Sequence, residues 1–311
     1  MNTSTSRFFI PAAVALIILS LIATTINHFV YEYPGNNYFP PQALYVAITL
    51  SLMFLGFNLQ FDRNNPCTLI VKEVAWYFLV MSVLALATNA VQYTPFPPID
   101  KQIITFETAL HINIKAIMTW THSHRLIKEG LIMVYNTLPY QMCYFPLIII
   151  ALRRFDSLRE YYFLLIFSAM IGFSFYYFFP TLAPASLIDS NLYNDAQRAT
   201  GLKFMQIHQH IKPTTLDGGL IALPSFHVIW AWLCLYLIRQ VHILFMIMLP
   251  INVLLVASCV LLGWHYPIDI IGGLMVISMS HAAFYFYKKW AFTEHSSEGA
   301  HNTIFIGTPV G

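Results

Sequence analysis

Pro224-Ser225-Phe226-His227 and Trp264-His265-Tyr266-Pro267-Ile268-Asp269 are two short polar islands in an otherwise oily chain. Between them, residues 228–263 are apolar except around Arg239-Gln240, which reads as a turn. The two histidines stand 38 positions apart, from 227 to 265. At about 1.5 Å per residue that interval is two back-to-back helices of about 28 Å each, close to one bilayer crossing apiece. Such a hairpin returns His265 to the membrane face that His227 left. Asp269 follows four residues later, in the first turn of the next helix.

Composition fits that reading. Of 311 residues, 58% are hydrophobic and only 10% charged, and mean hydropathy is +0.62. A soluble domain carries about 25% charged residues, so the chain reads as an all-α, polytopic membrane protein. The 16% of Phe, Trp and Tyr suits aromatic belts at the interfaces. A formal charge of +2 gives no footprint for nucleic acid. Cys67, Cys143, Cys234 and Cys259 are scattered, without the pairing of a disulfide framework or a thiolate metal site.

Apolar run lengths give about eight spans, near 8–29, 43–60, 74–93, 130–152, 160–180, 224–240, 242–263 and 267–288. Arg7 followed by the apolar run 8–26 resembles a signal peptide, but its length and the lack of a small-residue cleavage site make it a retained first span. Starting inside, the inner segments hold Arg7, Arg63, Lys72, Arg153, Arg154, Arg159, Arg239, Lys288 and Lys289. The short outer loops, about 30–42 and 264–266, hold no Lys or Arg. The positive-inside rule then puts both termini inside and His227, His265 and Asp269 outside. The long outer loop 94–129 is expected to carry an amphipathic helix on the membrane surface, with Lys101, Glu107, His111 and Lys115 on its polar side. A second outer loop, 181–223, is polar and leads into Pro224, and the tail 291–311 reads as poorly ordered.

Taken singly, an interfacial His, Trp or Tyr anchors a helix end. Two histidines, a carboxylate and a serine meeting at one depth point instead to chemistry, because ionisable groups in a membrane are costly. Pro224 suits a first helical position, and the amides of that terminus with the Ser225 hydroxyl form a ready anion site. Asp269 is favoured by the helix dipole and can accept from one ring nitrogen of His265, leaving the other as a nucleophile. Arg198, Lys203 and Lys212, in the loop before Pro224, are candidate phosphate-binding cations, with Arg198 first for its bidentate fork. The His122-Ser123-His124 and His208-Gln209-His210 pairs are too sparse for a metal site, and none is expected.

Pro224-Ser225-Phe226-His227 with His265-Tyr266-Pro267-Ile268-Asp269 resembles two signatures of the type-2 phosphatidic acid phosphatase superfamily. Phe179-Pro180-Thr181-Leu182-Ala183-Pro184 resembles an element of its inositol phosphorylceramide synthase and sphingomyelin synthase-like branch. The resemblance covers roughly 74–288. It implies three parts: an added two-helix membrane segment over 1–73, a six-helix catalytic core over 74–290, and a tail over 291–311. It further implies a metal-independent, cofactor-free lipid phosphotransferase or phosphatase in which His265 attacks phosphorus, Asp269 orients it and His227 protonates the leaving oxygen. Membrane lipids would be the substrates, and the active site would face the periplasm of a bacterial inner membrane or the lumen of a eukaryotic endomembrane. The phosphatase pattern carries Arg six residues before the nucleophilic His, where this chain has Cys259, and its Lys-x6-Arg-Pro signature is not found before Pro224. Both departures favour transfer to an acceptor alcohol over hydrolysis. A transporter or a non-catalytic lipid-binding protein are the readings from other classes. A transporter would place its polar residues near the bilayer midplane, not at one end.

Overall fold

The computed structural model describes residues 8–33, 39–215 and 222–304, the last stretch with side chains to residue 290. The structure is all-helical, and no strand occurs among the described residues. Six helices there are long and apolar enough to cross a membrane: α1 (Phe9–Phe29), α2 (Ala43–Gln60), α3 (Pro66–Val91), α8 (Phe155–Phe178), α12 (His242–Leu261) and the apolar stretch Pro267–Trp290 of α13 (Pro267–Ile304). The others are α4 (Asp100–Ala109), α5 (Ile114–Ser123), α6 (Arg125–Tyr135), α7 (Leu138–Ala151), α9 (Pro184–Leu187), α10 (Asp195–His208) and α11 (Phe226–Leu237).

Two expected spans are shorter than their apolar runs. The run 130–152 is cut at Asn136-Thr137, so that α6 ends at Tyr135 and α7 has 14 residues. In place of 224–240, α11 has 12 residues, because Ser225, just before it, has extended backbone and the chain turns at Ile238. The loop 94–129, expected to carry one surface helix, holds α4, α5 and the start of α6. His111 takes a left-handed backbone (φ 59°), and the Asn113 side chain caps α5 by accepting from the Ala116 amide at 3.0 Å. The polar loop 181–223 contains α9 and α10, the latter opened by a reciprocal capping box of Asn194 and Gln197. α13 runs past residue 291 to Ile304, while Arg7 and 305–311 lie outside the described residues.

α8 is the central post, packed against α1, α3, α7, α11 and α13, with most of its residues buried. α1 packs on α3 and α8, and its Asn27 amide donates to the carbonyls of Ala90 (2.7 Å) and Tyr93 (3.1 Å). α2 packs on α3 and buries none of its own residues. At the end opposite the histidines, ion pairs tie the bundle: Arg159–Glu73 at 2.7 Å and Arg239–Glu160 at 2.8 Å, with the Tyr236 hydroxyl donating to Glu160 at 2.6 Å. Of the basic residues expected on the inner side, Arg159 and Arg239 are thus partnered by acids, and Arg154 donates to the Gln240 side chain at 3.1 Å.

Candidate active site

The turn after α12 presents His265. Gly263 adopts φ 78°, and the amides of Trp264 and His265 both donate to the Cys259 carbonyl at 2.9 Å, which folds the chain back over the helix end. A Cβ on Gly263 would also lie 2.4 Å from the Met118 sulfur of α5. α13 then starts at Pro267, and Asp269 in its first turn turns back. Its Oδ2 accepts from His265 Nδ1 at 3.1 Å and from the Tyr266 amide at 2.9 Å. The other ring nitrogen of His265, Nε2, faces His227 Nδ1 at 3.3 Å. The four expected groups are therefore contiguous: Ser225 precedes α11, His227 is in its first turn, and the Ser225 amide donates to the Asp269 carbonyl at 3.0 Å.

This closeness depends on missing side chains. A Cβ on Gly273 would meet the Ser225 carbonyl oxygen at 3.0 Å and the Val228 Cβ at 3.1 Å, and one on Gly272 would meet Leu223 Cδ1 at 2.7 Å. α13 therefore lies directly against the start of α11.

His265, Ser225 and Asp269 are buried. Burial disfavours the charged imidazole and pushes the His265 pKa down to about 4, so that Nε2 carries a lone pair at neutral pH. The Ser225 hydroxyl and Asp269 Oδ1 are buried without a hydrogen-bond partner among the described residues. The Ser225 side chain does not cap α11, so the first-turn amides after it have no intrahelical acceptor. One amide expected to be free is not: that of Ser225 is taken by Asp269.

Three contacts from the segments 94–129 and 181–223 brace the two islands, and sequence reasoning missed them. Asp100 of α4 is fully buried and accepts from the Leu182 amide at 2.8 Å. The Thr181 hydroxyl accepts from the Leu223 amide at 2.8 Å, just before Pro224. Glu107, expected on a solvated face, is 3% exposed and accepts from the Ile268 amide at the start of α13 at 3.1 Å. Burial raises the pKa of Asp100 to about 7, against the opposing pull of the Leu182 amide, and raises that of Glu107. The only sequence signal was the seven-residue spacing of the two carboxylates, which puts both on one helix face. Beside them a cleft of about 430 Å³ is lined by Glu107, Thr108, His111, Asn113, Lys115 and Tyr266, among others.

The candidate cations are placed unevenly. Arg198 is exposed in the first turn of α10, next to Gln197, whose amide donates to the Leu262 carbonyl at 2.8 Å. Lys203 is fully buried on α10, and Lys212 is exposed after it. Of the sparse histidine pairs, His122 and His124 turn a ring nitrogen to the carbonyls of Met118 (2.9 Å) and Trp120 (2.8 Å).

In comparisons with known proteins, the profile described as the PAP2 superfamily matches residues 101–283. No curated protein and no solved structure matches the chain significantly. The matched stretch begins within α4 and ends within α13, so it contains Glu107 and both histidine islands.

Proposed function

We propose a multi-pass membrane enzyme that cleaves a lipid phosphate ester through a phosphohistidine on His265, since the chain belongs to the PAP2 superfamily. That membership supports a phosphatase- or phosphotransferase-type lipid enzyme. The observation that carries the reading is the file of contacts Asp269–His265–His227, from carboxylate through one ring nitrogen to the other and on to the second imidazole. Asp269 holds Nδ1 as the donor and leaves Nε2 as the attacking atom. As the N–P bond forms, the ester P–O bond breaks and the leaving oxygen takes a proton from His227. An acceptor hydroxyl then gives its proton back to His227, attacks phosphorus and releases His265. The free amides at the start of α11, the Ser225 hydroxyl and a cation, Arg198 first, would hold the phosphoryl oxygens.

The substrate is a membrane lipid, whose headgroup would enter at the cleft while its acyl chains stay in hydrocarbon. The acceptor is an alcohol, as in the synthase-like branch. Cys259 at the position of the phosphatase Arg supports this. So does the Phe179-Pro180-Thr181 element, whose Thr181 holds the chain just before Pro224. The active side is the outer one, periplasmic or lumenal, and residues 74–290 form the catalytic core.

The test supplies a labelled phospholipid with ceramide, with diacylglycerol or with water alone, and resolves the products. His265→Ala abolishes turnover, and His227→Ala accumulates an acid-labile phosphohistidine when the leaving group is good. Full turnover by His265→Ala would overturn the assignment of the nucleophile. Product formed equally without any acceptor lipid would replace transfer with hydrolysis.

A further inference from the structure

Tyr135, the last residue of α6, is used by no step above, yet it touches both histidine islands. Its ring stacks on His227 with centroids 4.6 Å apart and planes 21° apart, and on Trp264, the neighbour of His265, at 5.1 Å and 6°. Tyr135 is thus the ring shared by two stacking contacts, one to each island. It arrives there because the helix stops. The Asn136 amide closes α6 on the Ile132 carbonyl at 3.1 Å, and α7 begins only at Leu138. α6 itself packs on α12 and buries only Leu131 among its residues.

An imidazole moves its nitrogens by turning about the Cβ–Cγ bond. With His227 stacked on Tyr135, and Tyr135 itself held nearly parallel to Trp264, that turn would drive the imidazole into the Tyr135 ring. Meanwhile the His227 and His265 planes are tilted by 66°, with Nδ1 of one aimed at Nε2 of the other. The restraint on His227 is thus a flat surface that adds to a hydrogen-bond contact, the 3.3 Å approach to His265 Nε2.

We propose that Tyr135 is a positioning residue. Its ring plane fixes the imidazole of His227 so that the nitrogen facing His265 is the one that meets the leaving oxygen. This rests on the function proposed above and deepens it: His227 acts as the acid, and Tyr135 holds the acid in register. The phenol hydroxyl takes no part, so any flat ring at 135 serves.

The test compares Tyr135→Phe, Tyr135→Trp and Tyr135→Leu in full-length protein reconstituted in bilayers, with two kinds of phosphate ester. An alkyl lipid phosphate needs the acid to expel its alkoxide, and a p-nitrophenyl phosphate does not. Misplacing a catalytic group by about 1 Å costs about 10²-fold, so Tyr135→Leu should lose about that much kcat on the alkyl ester and only about threefold on the nitrophenyl ester. KM should change little for either. Tyr135→Phe and Tyr135→Trp should retain both activities. A second measurement does not depend on turnover: carbethoxylation of His227, read by peptide mass spectrometry, should quicken in Tyr135→Leu and stay at the wild-type rate in Tyr135→Phe. Equal losses on both esters with unchanged His227 reactivity would overturn the proposal, and so would a Phe variant as impaired as Leu. If wild type turns over neither ester while His227 reactivity still follows residue 135, the positioning role stands and the enzymatic reading falls.

Discussion

Asp269 commits one carboxylate oxygen to two donors, the His265 ring and the Tyr266 amide. Replacing it with Asn keeps the shape but offers the ring an amide that can donate as well as accept, which destabilises the tautomer with the proton on Nδ1. Asp269→Asn should therefore lower kcat by about 10²–10⁴-fold with little change in KM, measured by steady-state turnover of a lipid phosphate. His265 also makes a statement about pH. Because burial holds its pKa near 4, the nucleophile is uncharged through the neutral range. The acid limb of phosphoenzyme formation should then lie near pH 4, not near the 6.5 of a free imidazole. Rapid-quench measurement of phosphohistidine against pH reads this directly, and a limb at 6.5 would mean that His265 is solvated in the working enzyme.

Between elements, the approach of α13 to α11 is set by Gly272 and Gly273. A Val at 273 must displace the Ser225 carbonyl or the Val228 side chain, so Gly273→Val should cost about 1–3 kcal/mol. Gly56 of α2, around which a Cβ meets nothing within 4 Å, should accept Ala without loss. Thermal denaturation in detergent would compare the two. The same elements show what the sequence could and could not tell. The hairpin bringing His265 back to His227 was legible because it depends only on the length of an apolar run and the turn inside it. The capping box Asn194-x-x-Gln197 was legible in principle but lay in a loop read simply as polar. The break at Asn136-Thr137 was hidden, since apolar residues continue on both sides and run length alone cannot see it. Asp100 and Glu107 were hidden for a different reason. Each serves a backbone amide far along the chain, 82 and 161 positions away, and nothing in local periodicity separates a carboxylate facing water from one facing a distant N–H. Lys203 shows the converse error, a residue expected in a loop that is buried in a helix.

Across the whole molecule, the two ends of the bundle carry opposite electrostatic designs. The end away from the histidines pairs Arg159 and Arg239 with Glu73 and Glu160, while the histidine end buries Asp100, Glu107 and Asp269 around two imidazoles. Two groups at the histidine end pull stability in opposite directions with pH. The folded pKa of Asp100 is raised from 3.8 to about 7, so its contribution is full below about 4 and is lost as pH rises towards 7. The folded pKa of His265 is lowered from 6.5 to about 4, so the unfolded chain takes up the proton first and stability is lost as pH falls through that window. Asp100→Asn keeps an acceptor for the Leu182 amide and removes the first slope. The variant's melting temperature, relative to wild type, should climb from pH 4 to pH 7; a constant difference would mean that Asp100 is ionised throughout. Finally, α11 has only 12 residues, or about 18 Å of helix, against a hydrocarbon layer of about 30 Å. Packed inside the bundle, so short a strut starts beside Gly172 of α8, which runs on to Phe178, and a lipid phosphate must come down past the end of α8 to reach the imidazoles. Vesicles built from progressively longer acyl chains should then slow the enzyme, because a thicker host lifts its own headgroups out of reach.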